Sequence, residues 1–218
     1  MRPLIVLAAV LALFGAMVAP AVADDLIPPQ WRGHWSTTSQ IWEFLTPINP
    51  APPDGPAPGG QPPLPSTIAQ ITPGPGMEWI PVDPDSQREG IWPLSGRIDV
   101  TVDNLDPEWE IKKIIWLQLT WQPQQSGAQP GVFMSMPSGG VIGPFQPVEE
   151  RPVGPNGWTY GLYTHVFPNN PPEEYITISG MVNVDQMVID TGVVPEPATW
   201  MLLGCGLVAL AIGARRRK

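Results

Sequence analysis

The chain has 218 residues, 11 basic against 20 acidic side chains, and a formal net charge of −9 at pH 7. An acidic chain without a basic stripe lacks the groups that replace phosphate counterions, so this composition argues against nucleic-acid binding. The chain has 1 cysteine, which excludes an internal disulfide, and 2 histidines, which exclude a metal centre with three or more imidazole ligands.

The first 23 residues have the pattern of a secretory signal peptide. Arg2 supplies a charged start, an apolar run follows over residues 4–18, and Ala21 and Ala23 form the small-x-small pattern that signal peptidase recognises. The run is short for a second membrane helix. The sequence therefore predicts export, cleavage after Ala23 and a mature amino terminus at Asp24.

Residues 24–194 form the predicted ectodomain, which is long enough for one ordinary domain. Removing Arg2, the four basic residues of the tail and Glu196 leaves 6 basic and 19 acidic residues, a net charge of −13. Such a charge keeps an exported protein soluble and attracts divalent cations. Because the ectodomain has no cysteine, its stability must come from its core.

Strand patterns dominate this ectodomain. Residues 40–45 are a candidate first strand, whereas proline and glycine dominate residues 46–75 and predict a long irregular loop outside the core. Apolar and polar residues then alternate, and no helical period occurs before the tail. This pattern predicts an all-β fold, an antiparallel β-sandwich. The further predicted strands are residues 97–103, 114–121, 131–136, 158–167, 176–184 and 186–193.

Few residues of the ectodomain suit catalysis. His34 is predicted to lie in a surface loop, and His165 alternates with aromatic residues on a predicted strand. Glycoside hydrolysis needs only two carboxylates, but the adjacent pairs Glu149-Glu150 and Glu173-Glu174 have prolines nearby, which is typical of solvated turns. The sequence therefore predicts no catalytic residue, with glycoside hydrolase as a second alternative function.

No metal ligand set or cofactor is predicted. Asp83 and Asp85 with Glu89, or Asp103 with residues 106 and 108, offer oxygen ligands in a turn, but neither has the spacing of a twelve-residue calcium loop. The favoured interpretation is again solvated turns. Whether calcium binds stays open at this point.

Nine of the ten tryptophans lie in the ectodomain. Most are expected to fill the core. Trp121 shares one strand face with Leu117 and Leu119, whereas Trp116 shares the other with Gln118 and polar neighbours. An aromatic ring on an open polar face suits the stacking of a sugar ring. Trp116 is therefore the candidate glycan contact, and a carbohydrate-binding module is the first alternative function.

The last 24 residues combine a short rigid motif, an apolar span and a basic cluster. Proline cannot extend a helix, so Pro195, Glu196 and Pro197 are expected to form an extended strip. Residues 198–214 carry no charge and are just long enough to cross a ~30 Å hydrocarbon layer as a helix. Four residues then stop the span on the cytoplasmic side: Arg215, Arg216, Arg217 and Lys218. An ordinary single-pass anchor is the alternative interpretation.

This tail resembles the PEP-CTERM sorting signal, by which some Gram-negative bacteria with exopolysaccharide systems deliver proteins to an exosortase. The resemblance implies that the tail crosses the inner membrane during transit and is removed near residues 195–197. It implies exosortase and signal peptidase as partners. Residues 31–33 (Trp-Arg-Gly) and 113–121 also resemble a group of exported bacterial proteins with the same tail, but that likeness transfers no site.

The expected function is accordingly that of an exported, non-catalytic protein of the cell surface or extracellular matrix. The resemblance implies an association with exopolysaccharide. The ligand of the ectodomain, its oligomeric state and the anchor that remains after processing do not follow from the sequence.

Overall fold

The computed structural model describes residues 24–104, 112–137 and 139–194. Within these ranges every regular element is a β-strand and the paired strands are antiparallel, which confirms the all-β prediction there. No helix of the described ranges is long and apolar enough to cross a membrane. The predicted signal peptide at 1–23 and the predicted membrane helix at 198–214 lie outside them.

Twelve strands are present in the described ranges. They are β1 (Thr37–Trp42), β2 (Ile68–Thr72), β3 (Ile80–Val82), β4 (Glu89–Leu94), β5 (Arg97–Asp103), β6 (Lys112–Pro123), β7 (Gly131–Ser135), β8 (Ile142–Phe145), β9 (Glu149–Pro152), β10 (Thr159–Phe167), β11 (Glu173–Ser179) and β12 (Val182–Val194).

The larger sheet has seven strands and is built around β12. Its order is β3-β4-β12-β6-β10-β9, and β1 also pairs with β12. Strand β6 pairs along one edge of β12, so β4 and β1 share the other edge, at residues 182–184 and 187–192 respectively. Strand β12 thus holds both halves of this sheet together.

A β-bulge at Asp185 divides β12. The register with β6 shifts between Val184 and Gln186, so one extra residue interrupts the alternation of side chains. Val184 before the bulge and Met187 and Ile189 after it are all buried in the core. The bulge therefore lets both halves of β12 present apolar residues to the same side.

The smaller sheet has five strands in the order β2-β5-β11-β7-β8. Its central pair, β5 and β11, places Ile98 opposite Ile178 and Val100 opposite Ile176, and all four side chains are buried. Polar residues occupy the alternate positions of both strands, as expected for a sheet with one solvated face.

Both sheets contribute to one hydrophobic core, which is the packing of a β-sandwich. The larger sheet supplies Leu117, Leu119 and Trp121 from β6, as the sequence predicts for Trp121. The smaller sheet supplies the inward residues of β2, β5, β7 and β11. Burial of these apolar side chains is the main stabilising contribution, since the ectodomain has no disulfide.

Three sequence predictions are corrected here. The predicted strand 176–184 belongs to two strands, because β11 ends at Ser179 and β12 begins at Val182. The predicted 46–75 loop contains β2, whose residues Ala69 and Ile71 belong to the core. The alternation in this five-residue strand is hidden because proline and glycine surround it. The first strand begins at Thr37 and ends at Trp42, because Phe44 adopts a positive φ of 50° that does not continue a strand.

Candidate functional site

The N-terminal segment, residues 24–36, covers the outer face of the larger sheet, which is the face turned away from the core. Gln118 of β6 accepts a hydrogen bond from the Ile27 amide at 2.9 Å and donates one to Asp25 at 2.7 Å. The hydroxyl of Tyr160 on β10 also donates to Gln118, at 2.9 Å. Side chains of the sheet thereby supply hydrogen-bond partners for the backbone of a segment that pairs with no strand.

Trp116 lies under this segment. Its indole N–H donates to the carbonyl oxygen of Ile27 at 2.8 Å, and its side chain is half-buried. The open face that the sequence suggested is therefore partly covered, because an irregular segment lies where neighbouring strand residues alone predict solvent. The glycan contact at Trp116 stays a prediction.

A buried charge cluster fastens the segment to β12. Arg32 donates from Nε and Nη2 to the two carboxylate oxygens of Asp190, at 2.6 and 2.5 Å. It also bonds both carboxylate oxygens of Asp25. The side chain of Arg32 is 5 % exposed and that of Asp190 is fully buried. One guanidinium thus bridges two carboxylates in a fork geometry that lysine does not offer.

Burial and charge oppose each other in this cluster. Burial raises the pKa of Asp190, and the hydrogen bonds and charge of Arg32 act in the opposite direction. Burial acts to lower the pKa of Arg32, but its hydrogen bonds to Asp25 and Asp190 outweigh that effect, so its pKa is raised. Arg32 therefore stays charged, and its single positive charge is shared by the two buried carboxylates.

The Trp-Arg-Gly sequence at 31–33 has a structural role at all three positions. The ring of Trp31 packs on Gly192 of β12, where an added Cβ would lie 2.9 Å from two ring carbons. Arg32 forms the charge cluster. Gly33 has a φ of 81°, and a side chain there would collide with the carbonyl oxygen of Gly59. The motif therefore serves to dock the segment.

A second arginine lies in a cleft of about 300 Å³ at the other end of β12. Arg88 donates to Asp24 at 2.7 Å and to Asp185 at the bulge. Its guanidinium lies over the ring of Trp158, 5.0 Å from the centroid. Each arginine thus joins one aspartate of the N-terminal segment to one aspartate of β12. Arg88 joins Asp24 to Asp185, and Arg32 joins Asp25 to Asp190. The cleft is lined by Asp24, Glu43, Leu45, Ser86, Gln87, Arg88, Glu89, Gly154, Pro155, Asp185 and Gln186.

Two carboxylates of the cleft, Asp185 and Glu43, have raised pKa values. Burial raises the pKa of Asp185 to about 6, against the charge and hydrogen bond of Arg88. Burial also raises the pKa of Glu43, and the charges of Asp54 and Glu89 add to the shift. The cleft therefore offers hydrogen-bond acceptors and one cationic donor in a partly desolvated setting, which suits a ligand rich in hydroxyl groups.

The adjacent acidic pairs do not come together. Glu149 and Glu150 lie on β9, an exposed edge strand, so they are solvated as expected but belong to a strand. Glu174 is fully buried on β11, which corrects the prediction of a solvated turn. Burial raises its pKa to about 7, although Lys113 and the Asn104 amide, which donates at 2.7 Å, favour the charged form.

The candidate calcium turn at Asp83 is closed by its own hydrogen bonds. The Asp83 carboxylate accepts from the amide and hydroxyl of Ser86, and the hydroxyl bond is the largest cause of its lowered pKa. Within residues 24–104, 112–137 and 139–194, no group of three or more His, Cys, Asp or Glu residues is arranged to hold a metal ion. Residues 106 and 108 of the other candidate turn lie outside those ranges.

His165 of β10 packs between two aromatic rings, Phe145 of β8 and Phe167 of β10. Its ring centroid lies 5.0 Å from that of Phe145 and 4.6 Å from that of Phe167, the latter edge-on. Burial lowers its pKa. This is a packing role, consistent with the alternation in the sequence.

Sequence comparison identifies the tail. The family model of the PEP-CTERM protein-sorting motif matches residues 193–218. The match covers the Pro195, Glu196 and Pro197 motif and the basic residues from Arg215 to Lys218, and it shows that the chain carries this signal. The motif implies export, passage through the membrane and recognition by an exosortase. No curated protein matches the chain.

Three solved structures are weakly similar to the chain. A family GH115 4-O-methyl-alpha-glucuronidase with specificity for decorated arabinogalactans matches 51 % of the chain at 9 % identity with a TM-score of 0.29. That match spans 16 % of the glucuronidase. A carbohydrate-binding module that recognises mannan matches 72 % of the chain and 96 % of the module, at 14 % identity and a TM-score of 0.28. The enzymatically active domain of tailspike protein 4 of bacteriophage CBA120 matches 73 % of the chain and 20 % of that domain, at 10 % identity and 0.25. Scores this low carry no argument about fold or function.

Proposed function

We propose that this protein is a non-catalytic component of the cell surface or extracellular matrix, exported and then processed by an exosortase. The observation that carries the proposal is the sorting motif at residues 193–218, which begins at the very end of β12. Cleavage just after this strand would release the sandwich intact. The association with exopolysaccharide is part of the proposal.

The buried carboxylates are hydrogen-bonded to other side chains of the fold, which supports a non-catalytic role. A general acid or base must be able to reach a substrate proton. Asp185 and Asp190 have raised pKa values, yet each is bonded to an arginine. Glu174 is fully buried between the sheets, at the side of Asn104. These three groups hold the fold together. Glu43 and Glu89 also line the cleft, so they are the two carboxylates on which a glycoside hydrolase would depend.

Glycan binding is the second candidate function, and the Arg88 cleft favours it. Sugar hydroxyls both donate and accept hydrogen bonds, and the cleft presents carboxylates, the Gln186 amide and the Arg88 guanidinium together. Leu45, which is 48 % exposed, adds an apolar wall. Asp24 and Asp185 hold the Arg88 side chain in place, so little side-chain entropy would be lost on binding.

Co-sedimentation with the producing cell's own exopolysaccharide tests the proposal. The processed protein is incubated with the polysaccharide, with and without calcium, alongside Leu45→Ala, Trp116→Ala and, as a control, Val141→Ala, which alters a side chain that is 73 % exposed. Retention lost only with Leu45→Ala identifies the cleft as a glycan site, and retention lost only with Trp116→Ala identifies the outer face. Unchanged retention in every variant supports a matrix component held by other surfaces, and release of reducing sugar contradicts the non-catalytic role.

A further inference from the structure

The end of β12 fixes how far the ectodomain can lie from the membrane. Strand β12 remains paired to its last residue, Val194, which lies opposite Lys112 of β6. Residue 195 follows at once, and the apolar block starts at residue 198. Four extended residues span at most about 14 Å, so at most that distance separates the end of β12 from the start of the apolar block.

Apolar side chains gather on the outer face of the larger sheet at this end. Gly192, Ile114 and Val166 are register partners across β12, β6 and β10, two residues before the chain leaves the sheet. Trp31 packs on Gly192. Ile114 is half-buried and Val166 is 47 % exposed. Thr37 of β1, which also pairs with Gly192, is buried, so the accessible side chains of this row are apolar.

Trp35 adds the most exposed aromatic side chain among the large hydrophobic residues that the structure describes, at 62 %. It precedes Ser36, whose carbonyl oxygen accepts from the Val193 amide at 3.4 Å. Trp35 therefore lies beside the point where the chain leaves the fold. Tryptophan is enriched at membrane–water interfaces because its ring is apolar and its N–H is polar.

The charges near the end of β12 also favour placing the outer face of the larger sheet against lipid. Lys112, which pairs with Val194 on the larger sheet, is exposed and would meet anionic headgroups favourably. The neighbouring end of the smaller sheet instead carries Asp103 and Glu173, which are register partners. Anionic headgroups would repel that sheet, so the outer face of the larger sheet is the side suited to lipid.

We propose that the corner formed by Trp31, Trp35, Ile114 and Val166, here called the exit corner, rests on the membrane surface while the tail is inserted. The inference rests on the proposed function in one respect, since it requires the sorting tail to tether the domain. The partner is a phospholipid headgroup surface, which the domain meets through the apolar exit corner and Lys112, because the ectodomain's net charge of −13 disfavours anionic lipid elsewhere. Removal of the tail then releases a corner that a short tether had held in place.

Fluorescence quenching in brominated lipid tests the exit corner. The tail-bearing protein is purified from cells that lack the exosortase and reconstituted into vesicles of phosphatidylethanolamine and phosphatidylglycerol, with or without bromine on the acyl chains near the headgroup. The emission difference between the wild type and Trp35→Phe isolates Trp35. A matched control, Leu45→Trp, adds emission beyond the opposite end of β1, which runs from Thr37 beside Gly192 to Trp42 beside Met187.

The expected result is loss of the Trp35 emission in brominated vesicles and no loss of the emission added by Leu45→Trp. Flotation of the protein with the vesicles reports insertion of the tail independently. Flotation without quenching of Trp35 overturns the exit corner and leaves the sorting tail intact. Equal quenching at both positions also overturns it, because the domain would then have no preferred orientation. Failure to float contradicts the tethered tail and the docking together.

Discussion

Arg32 is the residue on which docking of the N-terminal segment depends most. Replacing it by methionine keeps much of the side-chain volume and removes the guanidinium. Asp190 and Asp25 would then lose the cation that they share, and Asp190 is fully buried. Removing one partner of a buried ion pair costs about 3–5 kcal/mol, because an uncompensated charge stays in the interior.

This loss is large relative to the total stability, which for a domain is typically about 5–15 kcal/mol. For a domain of this size, 1 kcal/mol lowers the melting temperature by about 2–4 °C. Arg32→Met should therefore lower it by about 6–20 °C. Calorimetry on residues 24–194, which contain every strand of the two sheets, measures the change.

Two further variants make the Arg32 measurement discriminating. Arg97→Met removes a surface pair with Asp99, whose side chains are 62 and 36 % exposed, and should change the stability by less than about 1 kcal/mol. Asp190→Asn should cost less than Arg32→Met, since Arg32 keeps Asp25 as a partner. If Arg32→Met destabilises no more than Arg97→Met, the charge cluster does not fasten the segment and the reasoning is wrong.

Three other outcomes follow from the same structure. Gly192→Ala should lower the unfolding free energy by about 1–3 kcal/mol, because its methyl group would press on Trp31; an unchanged denaturant midpoint would contradict this packing. Burial raises the pKa of Glu174 from 4.5 to about 7, so its contribution is fully present below pH 4.5 and is lost as the pH rises through 7. The unfolding free energy should fall by about 3 kcal/mol across that window, and Glu174→Gln should flatten its dependence on pH. The same pH dependence in the wild type and in Glu174→Gln would refute the raised pKa of Glu174. Glu196→Ala should leave the tail attached, and normal removal, seen by mass, would argue against recognition of this motif.

Strands were predictable where a clean alternation of residues reports a half-buried sheet. Ile98, Val100 and Val102 all reach the core, as does Trp121. Strand β2 was missed because five alternating residues are too few to stand out among prolines and glycines. Alternation of apolar and polar residues is a local signal, so it reveals a strand only when the alternating run is longer than the runs that occur by chance in the flanking residues.

The charge clusters were not predictable from local pattern. Arg32 and Asp190 are 158 residues apart in the chain, and neither lies in a recognisable motif for ion pairing. Glu174 was assigned to solvent because it follows prolines and another glutamate, whereas the pairing of β11 with β5 carries it into the interior. One signal was available: arginine is rare in this acidic ectodomain, and Arg32 lies between a tryptophan and a glycine.

The tail was the most informative part of the sequence because its recognition depends on local order alone. A short motif, an apolar block and a basic cluster follow one another within residues 195–218, so they can be recognised from the sequence alone. Trp116 shows the opposite case. Its strand neighbours suggested an open face, but Ile27, which partly covers it, is 89 residues away in the chain.

The intact mass of the surface-delivered protein tests the central claim most directly. The protein is isolated from the surface or matrix of the producing cells and from cells that lack the exosortase. The account predicts a surface form that begins at Asp24 and ends near residues 195–197, with the tail retained when the exosortase is missing. A surface form that still contains Trp200 to Lys218 would contradict processing by an exosortase.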